Sequence, residues 1–154
     1  MMAPTHLRFY GRDLVGILHH AGDGNVPPVR VPSTVHFART HRGAAVLYAG
    51  DALEFMQLRA ALGELVPLLR DGPAVDTLGE IVATRRLVSG LGLTTLYVST
   101  EPGHLDRATR LARIVYWRRG VRILPWPSAP GTYRSPWWLT VRDVVRAAWV
   151  RVTS

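Results

Sequence analysis

The chain has no cysteine, no lysine and no long apolar run. Without cysteine there is no disulfide framework and no thiolate-ligated zinc, which fits a reducing compartment. No stretch approaches ~18 uncharged apolar residues, so nothing reads as a membrane-spanning helix. The opening segment MMAPTHLRFYGRDLVGIL lacks the unbroken apolar core of a secretory signal. A soluble, cytoplasmic protein is the expectation. Arginine takes the place of lysine: all 19 basic residues are arginine, against 11 acidic ones, for a net charge of +8. Codon usage explains that choice more simply than chemistry does. The sign of the charge favours anionic partners: phosphates, nucleic acid or an anionic membrane surface. No basic run is dense enough to read as a nucleic-acid tail, so the expected partner is an anionic small molecule.

What is present describes an ordinary globular chain. At 154 residues, with 47% apolar and 19% charged content, it is long enough for a real core and is expected to form a single domain over 1–154. Short apolar runs alternate with helical patterns. The runs are LVGIL at 14–18, AAVLY at 44–48, LVPLL at 65–69, TLYVS at 95–99 and VRILP at 121–125. Their continuous apolar character fits parallel strands buried on both faces. Pro67 demotes the third run to an edge or irregular strand.

Between them, apolar spacings of three and four predict helices. These are a short helix around Val35 and Ala38, then 52–63 with Leu53, Met56, Leu58 and Leu62, then 77–91 and 103–119. A last helix over 137–150 carries Leu139, Val141, Val144, Val145 and Ala148. The Gly- and Pro-rich segment 19–34 reads as a long loop. Alternating strand and helix with right-handed crossovers predicts an α/β fold: a Rossmann-like, doubly wound, mostly parallel sheet of about five strands in the order 3-2-1-4-5, with helices on both faces.

In such sheets ligands sit beyond the carboxyl ends of the strands, where the strand order reverses. The polar residues following each run are therefore the candidates: His19, His20, Gly22 and Asp23; Gly50, Asp51 and Glu54; Asp76, Thr77 and Glu80; then Ser99, Thr100, Glu101, His104 and Arg107. T-L-G-E at 77–80 also reads as a capping box, with Thr77 as cap and Glu80 reaching back. Asp51 has a similar capping reading. The turn HHAGDG serves either chain reversal or hydrogen bonding to a ligand.

The cluster after the fourth run is the most informative. Ser99 and Thr100 offer hydroxyls beside free helix amides, which suits an anion, and Arg107 offers a bidentate fork. His104 changes charge near neutral pH, as a general acid or base must. A cation near a helix start opposes the helix dipole, so Arg107 calls for a negative group opposite: a ligand, or one of Glu101, Asp106 and Glu80. No HxH or HExxH spacing supports a metal site.

The stretches DTLGEIVATRRLV and LYVSTEPGHLDRATRLARIVYWRRGVRILPWP resemble the bacterial YdcF, SanA and ElyC-like family, a domain of unknown function. Thr77 matches the threonine of its Ser-Thr-x-Glu-Asn-Ala element, residues 104–108 its His-Met-x-Arg-Ala element, and Gly120 to Pro125 its Gly-Val-x-Val-x-Pro segment. AVLYAGD is similar to its strand ending in Ser-Gly-Gly, and LVGIL to its opening strand. The chain departs from the pattern where the Glu-Asn pair becomes Gly79-Glu80, where the glycine pair becomes Gly50-Asp51, and in a slightly longer STEPG loop. The resemblance implies a Rossmann-like sheet with a pocket at its carboxyl rim, in relatives linked to the cell envelope and often membrane-anchored. It implies no settled reaction.

Two readings of function follow. In one, the chain binds or transforms a phosphorylated or nucleotide-like ligand, adenosyl compounds included, with His104 and Glu80 as the catalytic candidates. The groups that would hold the ligand are His19, Gly22, Gly50, Asp51, Thr77, Ser99, Thr100 and Arg107. In the other, the same pocket serves a non-catalytic sensor. A third idea rests on the tail: Trp126, Trp137, Trp138 and Trp149 with Arg134, Arg142, Arg146 and Arg151 fit a peripheral membrane contact or single-stranded nucleic acid. The plainer expectation is that the last helix packs its aromatic face on the sheet.

Overall fold

In the computed structural model, residues 15–19, 30–49, 52–70, 76–100, 102–126 and 137–153 are described. The strands are β1 (Val15–His19), β2 (Ala45–Tyr48), β3 (Leu68–Arg70), β4 (Thr95–Ser99) and β5 (Arg122–Pro125). The helices are α1 (Arg30–Thr40), α2 (Ala52–Leu62), α3 (Thr77–Ala83), α4 (Arg85–Leu91), α5 (Pro102–Val115) and α6 (Trp137–Thr153). The strands pair in the order β3-β2-β1-β4-β5, and each neighbouring pair is parallel.

Alternation along the strands separates two cores. Ala45 and Leu47 of β2, Leu96 and Val98 of β4 and Ile123 of β5 pack with α3, α4, α5 and Ala147 of α6. Val46, Tyr48 and Tyr97 face the other way and pack with Phe37 of α1 and with Leu58 and Leu62 of α2. All of β2 is buried, as a strand covered on both faces must be.

On the α1 side, Phe37 stacks on His41 at 4.2 Å and meets Tyr97 and Trp126 edge-on at 5.3 and 5.2 Å. Edge-to-face pairs of this kind add about 0.5–1.5 kcal/mol beyond area burial. Trp126 also donates its indole N–H to the Ser33 carbonyl at 3.2 Å, fastening α1 to the end of β5.

Several expectations need correction. The segment 19–34 is not all loop: α1 begins at Arg30 and takes Pro32 into its first turn, where the missing N–H costs nothing. β3 lies at the sheet edge, as Pro67 implied, but it starts only after that residue, whose carbonyl still accepts from Val46 N at 2.8 Å. The 77–91 helix is broken at Thr84, whose hydroxyl bonds back to the Ile81 carbonyl at 2.7 Å and meets the Tyr116 hydroxyl at 3.0 Å. That competition with the helix ladder is typical of threonine.

α4 then ends on Gly92 in the left-handed conformation (φ 66°), with Leu93 N bonded to the Val88 carbonyl. This glycine stop turns the chain into β4. α5 stops at Val115, short of the expected 119. In α2, Leu58 and Leu62 are buried, but Leu53 and Met56 are 71% and 59% exposed, on the opposite side of the helix.

The largest correction concerns α6. Its buried face is Asp143 and Ala147, while Val141, Val145, Trp149 and Val152 are exposed. The expected aliphatic stripe is thus the outer one, because an ion-pair network holds the other face inward. Trp149 is not packed on the sheet, and Trp126 packs against α1 instead. The side chains of Trp137, Trp138, Leu139 and Arg151, and Arg134 altogether, lie outside the described residues.

Candidate functional site

The carboxyl ends of β1 and β4 lie side by side where the strand order reverses, with His19 in register with Ser99 on one side and with Tyr48 on the other. Ser99 ends β4 fully buried, and among the described residues its hydroxyl has no hydrogen-bond partner. It continues the row of Tyr97, so it belongs to the α1 and α2 side of the sheet. Thr100 follows, also buried, and leads into α5. Tyr48, at the end of β2, donates its hydroxyl to Glu54 at 3.3 Å.

On the other side, α3 lies against α5. Arg107 donates through Nη2 to the Thr77 hydroxyl at 3.2 Å, joining residues thirty positions apart. Glu80 lies one turn beyond Thr77 on the same buried helix face, 5% exposed. His104 is half-buried one turn before Arg107.

Among the described residues, an ion pair joins Arg107 to a carboxylate other than the expected ones. It is Asp143 of α6, 3% exposed, whose Oδ2 lies 3.5 Å from Arg107 Nε. Asp143 also pairs with Arg142 at 3.0 Å and with Arg146 at 3.9 Å. Arg146 reaches on to Asp76 at 3.0 Å. Asp76, not Thr77, caps α3: it has extended backbone (φ −144°, ψ 165°), and its Oδ1 accepts from Gly79 N at 2.7 Å. Burial pushes the Asp76 carboxyl up, but the Gly79 amide and the nearby Arg146 and Arg142 outweigh it and hold the group below its ordinary value of 3.8. Thr77 is freed from capping, and its hydroxyl accepts from Arg107 instead.

The expected residues therefore form two groups rather than one. Thr77 and Arg107 meet where α3 lies against α5, with Glu80 one turn along α3 and His104 one turn earlier on α5, and Arg107 is bound into a clamp with α6. Ser99 and the His19 position sit on the sheet floor at the β1–β4 reversal. Gly22, Gly50 and Asp51, with His20, Asp23 and Glu101, lie outside the described residues. Comparison with protein-family models, with curated proteins and with solved structures gives no match.

Sequence reading missed Asp143. One signal pointed to it: it is the single acidic residue after Asp106, in a segment otherwise dense in arginine. Among the described residues no three His, Asp or Glu side chains are grouped to hold a metal ion, and no helix is long and apolar enough to cross a membrane.

Proposed function

We propose that the chain is a divergent YdcF-like, Rossmann-like doubly wound protein that binds a phosphorylated or nucleotide-like small molecule at the carboxyl rim, over the reversal between β1 and β4. The observation that carries this reading is the Ser99 hydroxyl, wholly buried at the end of a central strand and without a partner among the described residues. A buried hydroxyl left unsatisfied costs about 1–3 kcal/mol, and a ligand oxygen bonded to it recovers that cost. The start of α5 supplies a favourable dipole for an anion. His104, at that same start, is the group able to give or take a proton in any reaction there.

Arg107 has a different role from the one its residue type first implied. Thr77 and Asp143 already engage its guanidinium, so it positions α3 and α6 around the rim rather than offering an open fork. This observation favours a second reading, a non-catalytic sensor in which ligand at the α5 start bears on the seating of α6. The exposed apolar stripe of α6 (Val141, Val145, Trp149 and Val152) would then be its output surface.

The test is a thermal-shift and calorimetric screen of nucleoside phosphates, sugar phosphates and adenosyl compounds on the wild-type chain and on Ser99→Ala. A ligand that stabilises the wild type and loses at least tenfold in affinity on Ser99→Ala supports the reading. Equal affinity for both proteins rejects it. Turnover of a bound ester that disappears in His104→Gln would select enzyme over sensor.

A further inference from the structure

The opposite end of the sheet carries a second polar region that the rim does not use. The loops entering β4 and β5 meet there: Arg122 N donates to the Thr94 carbonyl at 2.8 Å. Two adjoining clefts open around them, of about 440 and 540 Å³. They share Thr94, Tyr116, Gly120 and Val121 as a common wall. Arg85 and Arg119 line the first; Arg113, Arg118 and Arg122 line the second together with Trp117.

The charge here is one-sided. No acidic residue occurs between Glu80 and Glu101 or between Asp106 and Asp143, the stretches that build these walls. Among the described residues no ion pair involves Arg113, Arg118, Arg119 or Arg122, and all four are exposed. Trp117 is 57% exposed beside them.

Cations do favour helix C-termini, and that accounts for Arg113 in the last turn of α5. It does not account for Arg118, which holds a left-handed backbone (φ 61°). A side-chain-bearing residue there costs roughly 1 kcal/mol or more relative to glycine. The loop keeps an arginine at a position where glycine would fold more easily.

We infer that this double cleft binds single-stranded nucleic acid, with Arg118, Arg119 and Arg122 on phosphates and Trp117 stacked on a base. A groove lined by arginine with an aromatic beside it is the chemistry such strands need. The clefts are open, and Trp117 is the single exposed aromatic in their lining, which fits a strand lying along them better than a membrane plane, where an extended apolar face would have to insert.

The test is fluorescence anisotropy with labelled oligo(U) and oligo(dT) on the full chain. Inorganic polyphosphate and vesicles of anionic lipid serve as separate arms. Three neutralised phosphates at ~0.7 counterions each predict that affinity falls roughly 20-fold between about 50 and 200 mM salt. The double variant Arg118→Gly, Arg119→Gln should cut that fall to roughly threefold, and Arg118→Gly alone should fold at least as well as the wild type. Trp117→Ala should weaken oligonucleotide binding about tenfold while leaving polyphosphate binding unchanged. Absence of oligonucleotide binding overturns the inference, as does binding that is indifferent to these variants. Polyphosphate binding with no preference for bases, or vesicle binding alone, overturns the nucleic-acid assignment in favour of a simpler anion surface.

Discussion

The two ends of the sheet use arginine in opposite ways. At the carboxyl end Arg107 is nearly buried and bonded to Thr77 and Asp143, and Arg142 and Arg146 pair with Asp143 and Asp76. At the amino end Arg118, Arg119 and Arg122 are exposed on walls whose sequence contains no acid. A guanidinium beside a buried carboxylate holds the fold together; one without a carboxylate is available to something outside it. Residue type alone marked Arg107 as a ligand group; in the fold it faces Thr77 and Asp143.

The sharpest way to break that contrast is to remove Arg107. Arg107→Ala opens a cavity and takes one of three arginines from Asp143, which keeps Arg142 and Arg146, so the loss is about 1.5–3 kcal/mol. Urea unfolding should show that loss, whereas Arg119→Gln at the other end should change stability by less than about 0.5 kcal/mol. Comparable losses at both ends would erase the distinction. Affinity changes in Arg107→Ala therefore cannot be read without its stability.

A smaller effect of opposite sign is expected at Ser99. Ser99→Ala removes a buried hydroxyl that has no partner among the described residues, so the ligand-free protein should gain about 1 kcal/mol, or about 2–4 °C in Tm for a chain of this size. A loss of stability would mean that the hydroxyl is already satisfied and is not reserved for a ligand.

Tyr116→Phe should cost about 1 kcal/mol by breaking the contact with the Thr84 hydroxyl. Burial pushes the Tyr116 hydroxyl up to about 12. A raised folded-state value on a group that is neutral when protonated means its contribution persists below the ordinary value of 10.0 and fades as pH rises toward 12. Denaturation at pH 8 and pH 11 would show the gap between wild type and variant narrowing at the higher pH.

The smallest effect belongs to Asp76. Its folded-state value is lowered, so the stabilisation is complete above 3.8 and is lost as pH falls through the lower folded value. The stability gap between wild type and Asp76→Asn should therefore be constant near neutrality and close only below that point. A gap unchanged through strong acid would show that the carboxylate's charge has no part in holding α3 to Arg146.

The α/β alternation was legible because strands buried on both faces read as continuous apolar runs, as at Ala45–Tyr48 and Thr95–Ser99. Helix faces were harder. In α6 the more apolar stripe is the exposed one, because Asp143 and its arginines override hydrophobic spacing. Thr77 looked like a cap because it fits the box pattern, yet the preceding aspartate wins the position through its amide bond to Gly79. The amino-end cleft was invisible as a motif. Its arginines come from 85, 113 and 118–122, and only the fold assembles them.

The central claim is that the two ends are separate in function, with a small anionic ligand at Ser99 and a polymer at Arg118. Calorimetric titration with one nucleoside phosphate from the screen, run on wild type, Ser99→Ala and Arg118→Gly/Arg119→Gln, tests this directly. Binding lost in Ser99→Ala and kept in the arginine variant is the predicted result; binding kept in Ser99→Ala, or lost in the arginine variant, contradicts it.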